Sequence, residues 1–336
     1  MKKNLAKAIG LVVMSIMLFG SLMGCGNSKT ETTSGTSGSS DTSGSDSKQI
    51  EIAVVLKALN SDYWSLVKAG AVDAGKELGV KVDVLGPDSE TNIAGQTSLM
   101  EDQIVKKVSA LVVAPSQPSA AVATFDKADN AKIPVILIDS DAKWDKKKSF
   151  VGTGNLKGGQ LGGEFIAGKL QKGDEVVIIR GALGDATHDD RVNGAKKAME
   201  DAGLKVVAVQ PANSDRNMGM SVMENLIQNH PNVKGVFCSN DEMALGAVRA
   251  LSQAGKKDVV VVGFDGSPDA LKSILAGELA GSVAQSAYNI GKFGVETAVK
   301  VVKGETVEKV IDTGTSMISK DNAADFQANL NKILGK

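Results

Sequence analysis

Cysteine is nearly absent: Cys25 and Cys238 are the only two in 336 residues, too few for a disulfide scaffold. A chain of this length can bury a full core without such staples. Arginine is almost as scarce, with Arg180, Arg191, Arg216 and Arg249 making up the whole complement, and only 4% of residues are aromatic. With a formal charge of −1, there is no basic excess to grip phosphates and little aromatic surface to stack bases, so nucleic acid is excluded as a partner. The two histidines, His188 and His230, stand far apart, and no HExxH or clustered metal ligands occur, so no metal and no cofactor is expected. No GxSxG nucleophile motif appears either. What remains is 42% hydrophobic and 23% charged, the make-up of a globular protein, and the length favours about two domains.

Residues 1–24 place Lys2, Lys3 and Lys7 before an apolar run from Ile9 to Phe19, followed by small residues. That is the order of a secretory signal peptide, with an apolar run too short to span a bilayer comfortably. The tetrad Leu22-Met23-Gly24-Cys25 resembles a bacterial lipobox, which implies cleavage before Cys25, lipidation of its sulfur and anchorage to the cell membrane. Residues 25–48 then read as the lipidated cysteine and a tether, since Asn27 to Ser47 is Ser, Thr and Gly with a few charges and no apolar residue. The expected location is outside the cytoplasm, close to the membrane. Cys238, in Val236-Phe237-Cys238, reads as a buried structural thiol.

After the tether, short β-branched runs alternate with amphipathic stretches. Ile52–Leu56, Val80–Leu85, Ala110–Ala114, Val135–Ile138, Val176–Ile179, Val206–Val209, Val233–Cys238 and Val259–Phe264 are apolar almost throughout, as strands covered on both faces must be. Between them lie helical patterns such as Val67, Ala71, Ala74 and Leu78, with Ser61 or Asp62 as N-cap, and a second start at Ser267-Pro268. The alternation predicts an α/β fold of two doubly wound, Rossmann-like units with parallel sheets. The division is expected near Phe150–Asn155, and Ser319–Lys336 reads as a polar helical end. No internal sequence repeat is visible.

Several runs taken in order resemble one family. Ala53-Val54-Val55-Leu56-Lys57-Ala58-Leu59-Asn60-Ser61-Asp62-Tyr63-Trp64 is followed by Gln210-Pro211-Ala212, Asp215-Arg216, Asn240-Asp241-Glu242-Met243-Ala244-Leu245-Gly246, Val261-Val262-Gly263-Phe264-Asp265-Gly266 and Val283-Ala284-Gln285. Together they are similar to the periplasmic binding proteins of the ribose- and allose-binding type, the substrate-binding lipoproteins of ABC sugar importers. The resemblance implies the type I fold, two lobes joined by a three-crossing hinge with one ligand between them. It places residues 49–152 plus 286–312 in the N-terminal lobe and 153–285 plus 313–336 in the C-terminal lobe. It also assigns the polar grip on a monosaccharide or polyol to Lys57, Asp139, Arg191, Asn240, Asp265 and Gln285.

The residue types suit that role. A sugar hydroxyl both donates and accepts, so carboxylates, cations and amides complement it, while an aromatic face covers the apolar side of the ring. Asn60, Tyr63 and Trp64 stand beside Lys57 and join the candidate site. Two positions depart from the family pattern: Ser140, followed by Asp141, replaces the arginine that ribose-type members carry, and Ser214 replaces an aromatic before Asp215-Arg216. Asp141, His188, Asp189 and Asn213 are candidate replacement contacts. His188 and His230 otherwise read as surface residues, Asp215-Arg216 as a structural or rim ion pair, and Trp144 as a loop residue.

An enzyme reading would rest on Gly152-Thr153-Gly154-Asn155-Leu156-Lys157-Gly158, but this is GxGxxxG, one residue off the dinucleotide fingerprint. The chain is therefore expected to be no enzyme but a monomeric solute receptor that serves ABC permease subunits. The alternative is a signalling receptor that presents a sugar-like autoinducer or chemoattractant to a sensor.

Overall fold

The computed structural model describes residues 49–335. The expected signal peptide (1–24), Cys25 and the tether (25–48) lie outside the described residues.

The chain begins β1 (Glu51–Val55), α1 (Asp62–Leu78), β2 (Lys81–Leu85), α2 (Ile93–Lys106), β3 (Ala110–Val113), α3 (Pro118–Asn130), β4 (Val135–Asp139) and β5 (Ser149–Gly152). It continues α4 (Asn155–Ala167), β6 (Glu175–Arg180), α5 (Ala186–Asp201), β7 (Lys205–Pro211), α6 (Arg216–Asn229), β8 (Val233–Cys238), α7 (Asp241–Gln253), β9 (Val260–Asp265), α8 (Pro268–Ala276) and β10 (Gly281–Gln285). The last elements are α9 (Ala287–Val302), β11 (Val310–Asp312), β12 (Thr315–Ser319) and α10 (Ala323–Ile333).

Two six-stranded sheets result, ordered β11-β5-β4-β3-β1-β2 and β12-β10-β9-β8-β6-β7. The pairings are parallel except for β10 with β12. The two orders correspond strand for strand, a repeat of topology that the sequence does not display. The central strands β1, β3, β4, β6, β8 and β9 are apolar almost throughout because their alternate residues enter different cores. Ile52 and Val54 pack with α1 and α9 residues, whereas Ala53 and Val55 pack with Met100, Phe125 and Leu137. In the second sheet Val177 and Ile179 face one core, Val176 and Ile178 the other. Cys238 is fully buried, and burial pushes its thiol well above the usual range, as an inert structural cysteine requires.

The helix starts follow the sequence signals. Ser61 Oγ accepts from Trp64 N, and Ser267 Oγ accepts from Ala270 N with Pro268 opening α8. Trp144 lies in a loop, as expected, but is buried there against Phe125, 5.4 Å between ring centroids, and its indole N–H donates to Asp126. Four strands, β5, β10, β11 and β12, lie beyond the eight apolar runs, and two of them escape that criterion for identifiable reasons. Gly281–Gln285 is wholly buried but small and polar, and β11 is short and largely exposed.

The chain passes between the sheets three times, from β5 to α4, from β10 to α9 and from β11 to β12. Each of the first two crossings seats a helix on the first helix of the opposite unit: α4 packs on α5, and α9 on α1. Glycines allow the approach. A Cβ at Gly159 would collide with the Arg191 carbonyl and one at Gly194 with the Leu156 carbonyl; Gly70 and Gly291 stand likewise against the Tyr288 and Val67 carbonyls. Gly159→Val should therefore overpack α4 against α5 and cost about 1–3 kcal/mol or more. At roughly 2–4 °C per kcal/mol for a protein of this size, the thermal midpoint should fall by several degrees; an unchanged midpoint would remove this contact from the account.

Candidate ligand-binding cleft

The carboxyl ends of both sets of strands face one another, and the polar residues that follow them converge there. Lys57 follows β1; Asp139 and Asp265 end the corresponding strands β4 and β9. Both aspartates have positive φ, 62° and 128°, and for Asp265 that conformation lies far from the left-handed helical well that Asp tolerates. The helices that begin at the same edge are capped by residues of the site. Asp185 Oδ1 accepts from Thr187 N at α5, and Asn240 Oδ1 accepts from Met243 N at α7.

On the first unit, Asp139 accepts from Tyr63 OH at 2.6 Å and from Ser140 Oγ at 3.1 Å. Trp64 packs edge-on against Tyr63, ring centroids 4.9 Å apart, and its indole N–H donates to Glu90 Oε1 at 2.8 Å. On the second unit, Arg191 donates to Asn155 Oδ1 and to the Ser239 carbonyl, each at 2.9 Å. Its guanidinium lies 3.9 Å from the Phe264 ring centroid and 3.5 Å from Asp265 Oδ1. Gln285 Nε2 donates to Asp265 Oδ1 at 2.7 Å.

Side chains of the two units meet across the cleft. Lys57 Nζ lies 3.2 Å from Asp139 Oδ1 of its own unit and 2.7 Å from Asp185 Oδ2 of the other. Ser140 Oγ bonds Thr187 Oγ1. His188 Nε2 lies 3.8 Å from Glu90 Oε2. The cavity left between these side chains is about 20 Å³, space for about one water.

Burial alone would strip the Lys57 charge, but the carboxylates of Asp185, Asp139 and Glu90 outweigh it and raise its pKa. Burial likewise opposes ionisation of Glu90, yet His188 and Lys57 beside it hold its carboxyl at about 2. At Asp265 burial wins: Arg191 offsets it only in part, and the carboxyl is pushed well above its ordinary value. The Tyr63 hydroxyl is raised by burial and by the Asp139 charge.

Of the residues singled out from the sequence, Lys57, Tyr63, Trp64, Asp139, His188, Arg191, Asn240 and Asp265 line this cavity, with Gln285 one hydrogen bond away. His188 is thus buried rather than superficial. Asn60 is exposed; Asp141 is half exposed and pairs with Lys147 at 2.7 Å. Asp189 pairs with Arg180 at 2.6 Å, and the Asn213 amide meets Met218 Sδ; these four stand outside the cavity wall. Asp215 and Arg216 do not pair with each other: Asp215 caps α6, while Arg216 binds Glu242 and Asp269. Glu90, Thr187 and Asp185 are additional members that sequence reasoning missed. Asp185 carried a signal as a cap residue opening α5, and Glu90 lies in the loop after β2, at the same sheet edge as the others. The two departures are also explained: Ser140 reaches Thr187, and Ser214 Oγ bonds His188 Nε2 at 3.0 Å, so that an imidazole stands near the position of the replaced aromatic.

Comparison with known proteins agrees with this architecture. Residues 52–306 match the family described as a periplasmic binding protein domain. The ribose import binding protein of Salmonella typhimurium is 39% identical over 269 residues, 80% of this chain and 90% of that protein. The D-allose-binding periplasmic protein of Escherichia coli is 38% identical over 267 residues, covering 76% and 86%. Among solved structures, a carbohydrate transporter solute binding protein from Agrobacterium radiobacter in complex with D-arabinose superposes with a TM-score of 0.80 at 35% identity, covering 84% of this chain and 99% of that one. A solute binding protein from Bacillus halodurans with bound myo-inositol gives 0.78 at 29% identity, covering 84% and 99%. These relatives are transport binding proteins rather than enzymes, and the chain belongs to the periplasmic binding protein family, among members of the ribose- and allose-binding type.

Proposed function

We propose that the protein is an extracytoplasmic receptor that captures a monosaccharide or polyol between its two lobes and delivers it to an ABC permease. The observation that carries this reading is the convergence of Lys57 and Asp139 from one sheet on Asp185, Arg191 and Asp265 from the other. The lobes are assigned as 49–152 plus 286–312 and 153–285 plus 313–336, turning about the crossings near Thr153, Ser286 and Thr313. Relatives named for ribose import and allose binding, and a neighbour bound to D-arabinose, support a neutral or near-neutral sugar scaffold.

In the open form each lobe offers half of the contacts. A ligand that bridges Lys57, Asp139 and the Tyr63/Trp64 pair to Arg191, Asn240 and Asp265 has higher affinity for the closed state, and that difference drives closure. Gln285, at the second crossing, senses the ligand through Asp265. The carboxylates accept from ring hydroxyls, the cations donate to them, and Asn240 can do both. The closed surface then docks on the permease. Cys25, lipidated after cleavage of residues 1–24, anchors the monomeric receptor to the membrane.

Two outcomes follow. Asp265→Ala leaves donors without an acceptor and should weaken sugar binding by about 1–3 kcal/mol or more while the fold persists; calorimetry with D-ribose, D-allose, D-arabinose and myo-inositol reads this, and unchanged affinity would remove Asp265 from the site. Cys25→Ser should shift the protein from the membrane fraction to the soluble one, whereas retention at the membrane would refute the anchor.

A further inference from the structure

Asp241 is buried at the first position of α7, next to the cleft residue Asn240, yet stands outside the cavity wall. A carboxyl group is tolerated in such a place only with hydrogen-bond partners. Its Oδ2 accepts from the Ser267 backbone N–H at 2.8 Å, and its Oδ1 accepts from the Ser282 hydroxyl at 2.7 Å. The Ser282 oxygen in turn accepts from the Gly266 backbone N–H at 3.1 Å. Burial pushes the Asp241 carboxyl up to about 7, against the pull of the Ser267 and Ser282 bonds. Strand β9 leaves room for the group, since a Cβ at Gly263 would collide with Asp241 Oδ1.

These bonds occupy both backbone N–H groups that follow Asp265, where the chain turns out of β9. Asp265 has φ 128° and Gly266 φ 70°. A residue with a side chain persists at such a φ only where its surroundings over-determine it. Here they do so from two elements, Asp241 from α7 and Ser282 from β10. The turn decides where the Asp265 carboxyl stands. Among the described residues its contacts, from Gln285 at 2.7 Å and Arg191 at 3.5 Å, both fall on Oδ1, which leaves Oδ2 for a ligand hydroxyl.

We infer that Asp241 is a positioning residue for sugar binding: together with Ser282 it holds the Gly266 and Ser267 amides, and so the strained turn that sets the Asp265 carboxyl in the cleft. It touches no ligand itself. This inference rests on the proposed sugar-receptor function and adds to it a residue that acts through Asp265.

The test must separate hydrogen bonding from charge, because the Asp241 charge also bears on Asp265. Asp241→Asn removes the charge and, with a single amide oxygen, leaves one of the two donors without an acceptor. Ser282→Ala keeps the charge and breaks only the link to Gly266. Calorimetry at pH 7 with D-ribose, D-allose, D-arabinose and myo-inositol compares the full-length protein with both variants, alone and combined with Asp265→Ala. Each should weaken a responding sugar by about tenfold or more, but by less than about twofold where Asp265 is already alanine, since nothing is then left to position. Losses that simply add to that of Asp265→Ala would make Asp241 a general support of the fold and overturn the role. A loss in Asp241→Asn with none in Ser282→Ala would assign the effect to charge and overturn it too. Unchanged affinity in both would overturn it and leave the sugar receptor standing, whereas silence of the folded, unaltered protein toward all four sugars would overturn the receptor reading and this role with it. Should the variants fail to fold, hydrogen exchange on the unaltered protein decides: the Gly266 and Ser267 amides should be as protected as those of β9, and fast exchange at either would overturn the inference.

Discussion

A single buried ammonium organises the cleft. Lys57, 2% exposed, sits between Asp139 of its own lobe and Asp185 of the other. A buried charge is tolerated only with close partners, and removal of one partner leaves the other charges uncompensated. The closed arrangement therefore depends on where β1, β4 and the start of α5 deliver these three side chains. Asp139 in turn orients Tyr63, and Asp185 caps the helix that presents Thr187, His188 and Arg191.

The exchange of helices between the sheets makes that delivery possible. Because α4 leaves the first sheet and lies on α5, Gly159 stands directly against the Arg191 carbonyl, so the hinge and a cleft residue share one contact. The corresponding arrangement holds α9, through Gly291 and Gly70, on α1, the helix that carries Tyr63 and Trp64. Packing at these crossings is tight, each glycine standing directly against a carbonyl of the partner helix.

Much of this was legible in the sequence. Strands buried on both faces must be continuously apolar, and β1, β3, β4, β6, β8 and β9 announce themselves in that way. Strand β10 did not, because its buried Ser282 spends its hydroxyl on Asp241 rather than on apolar packing. Lys57 alone would have read as a solvated lysine; its place in an ordered set of family runs marked it, and burial between carboxylates accounts for it. Glu90 and Asp185 stayed hidden because a charged residue in a polar loop and an aspartate at a helix start carry no sign of what faces them. Their significance comes from the opposite lobe, which periodicity along one chain does not encode.

The central claim is that one ligand draws the two lobes together. Leu59 and Leu183 are exposed on the two rims, following the corresponding strands β1 and β6. Spin labels at these positions, read by pulsed electron resonance on the mature protein, measure the gap between rims directly. The account predicts that a monosaccharide or polyol which binds by calorimetry shifts a broad, long distribution to a shorter and narrower one. A ligand that binds fully while the distribution stays unchanged would contradict it.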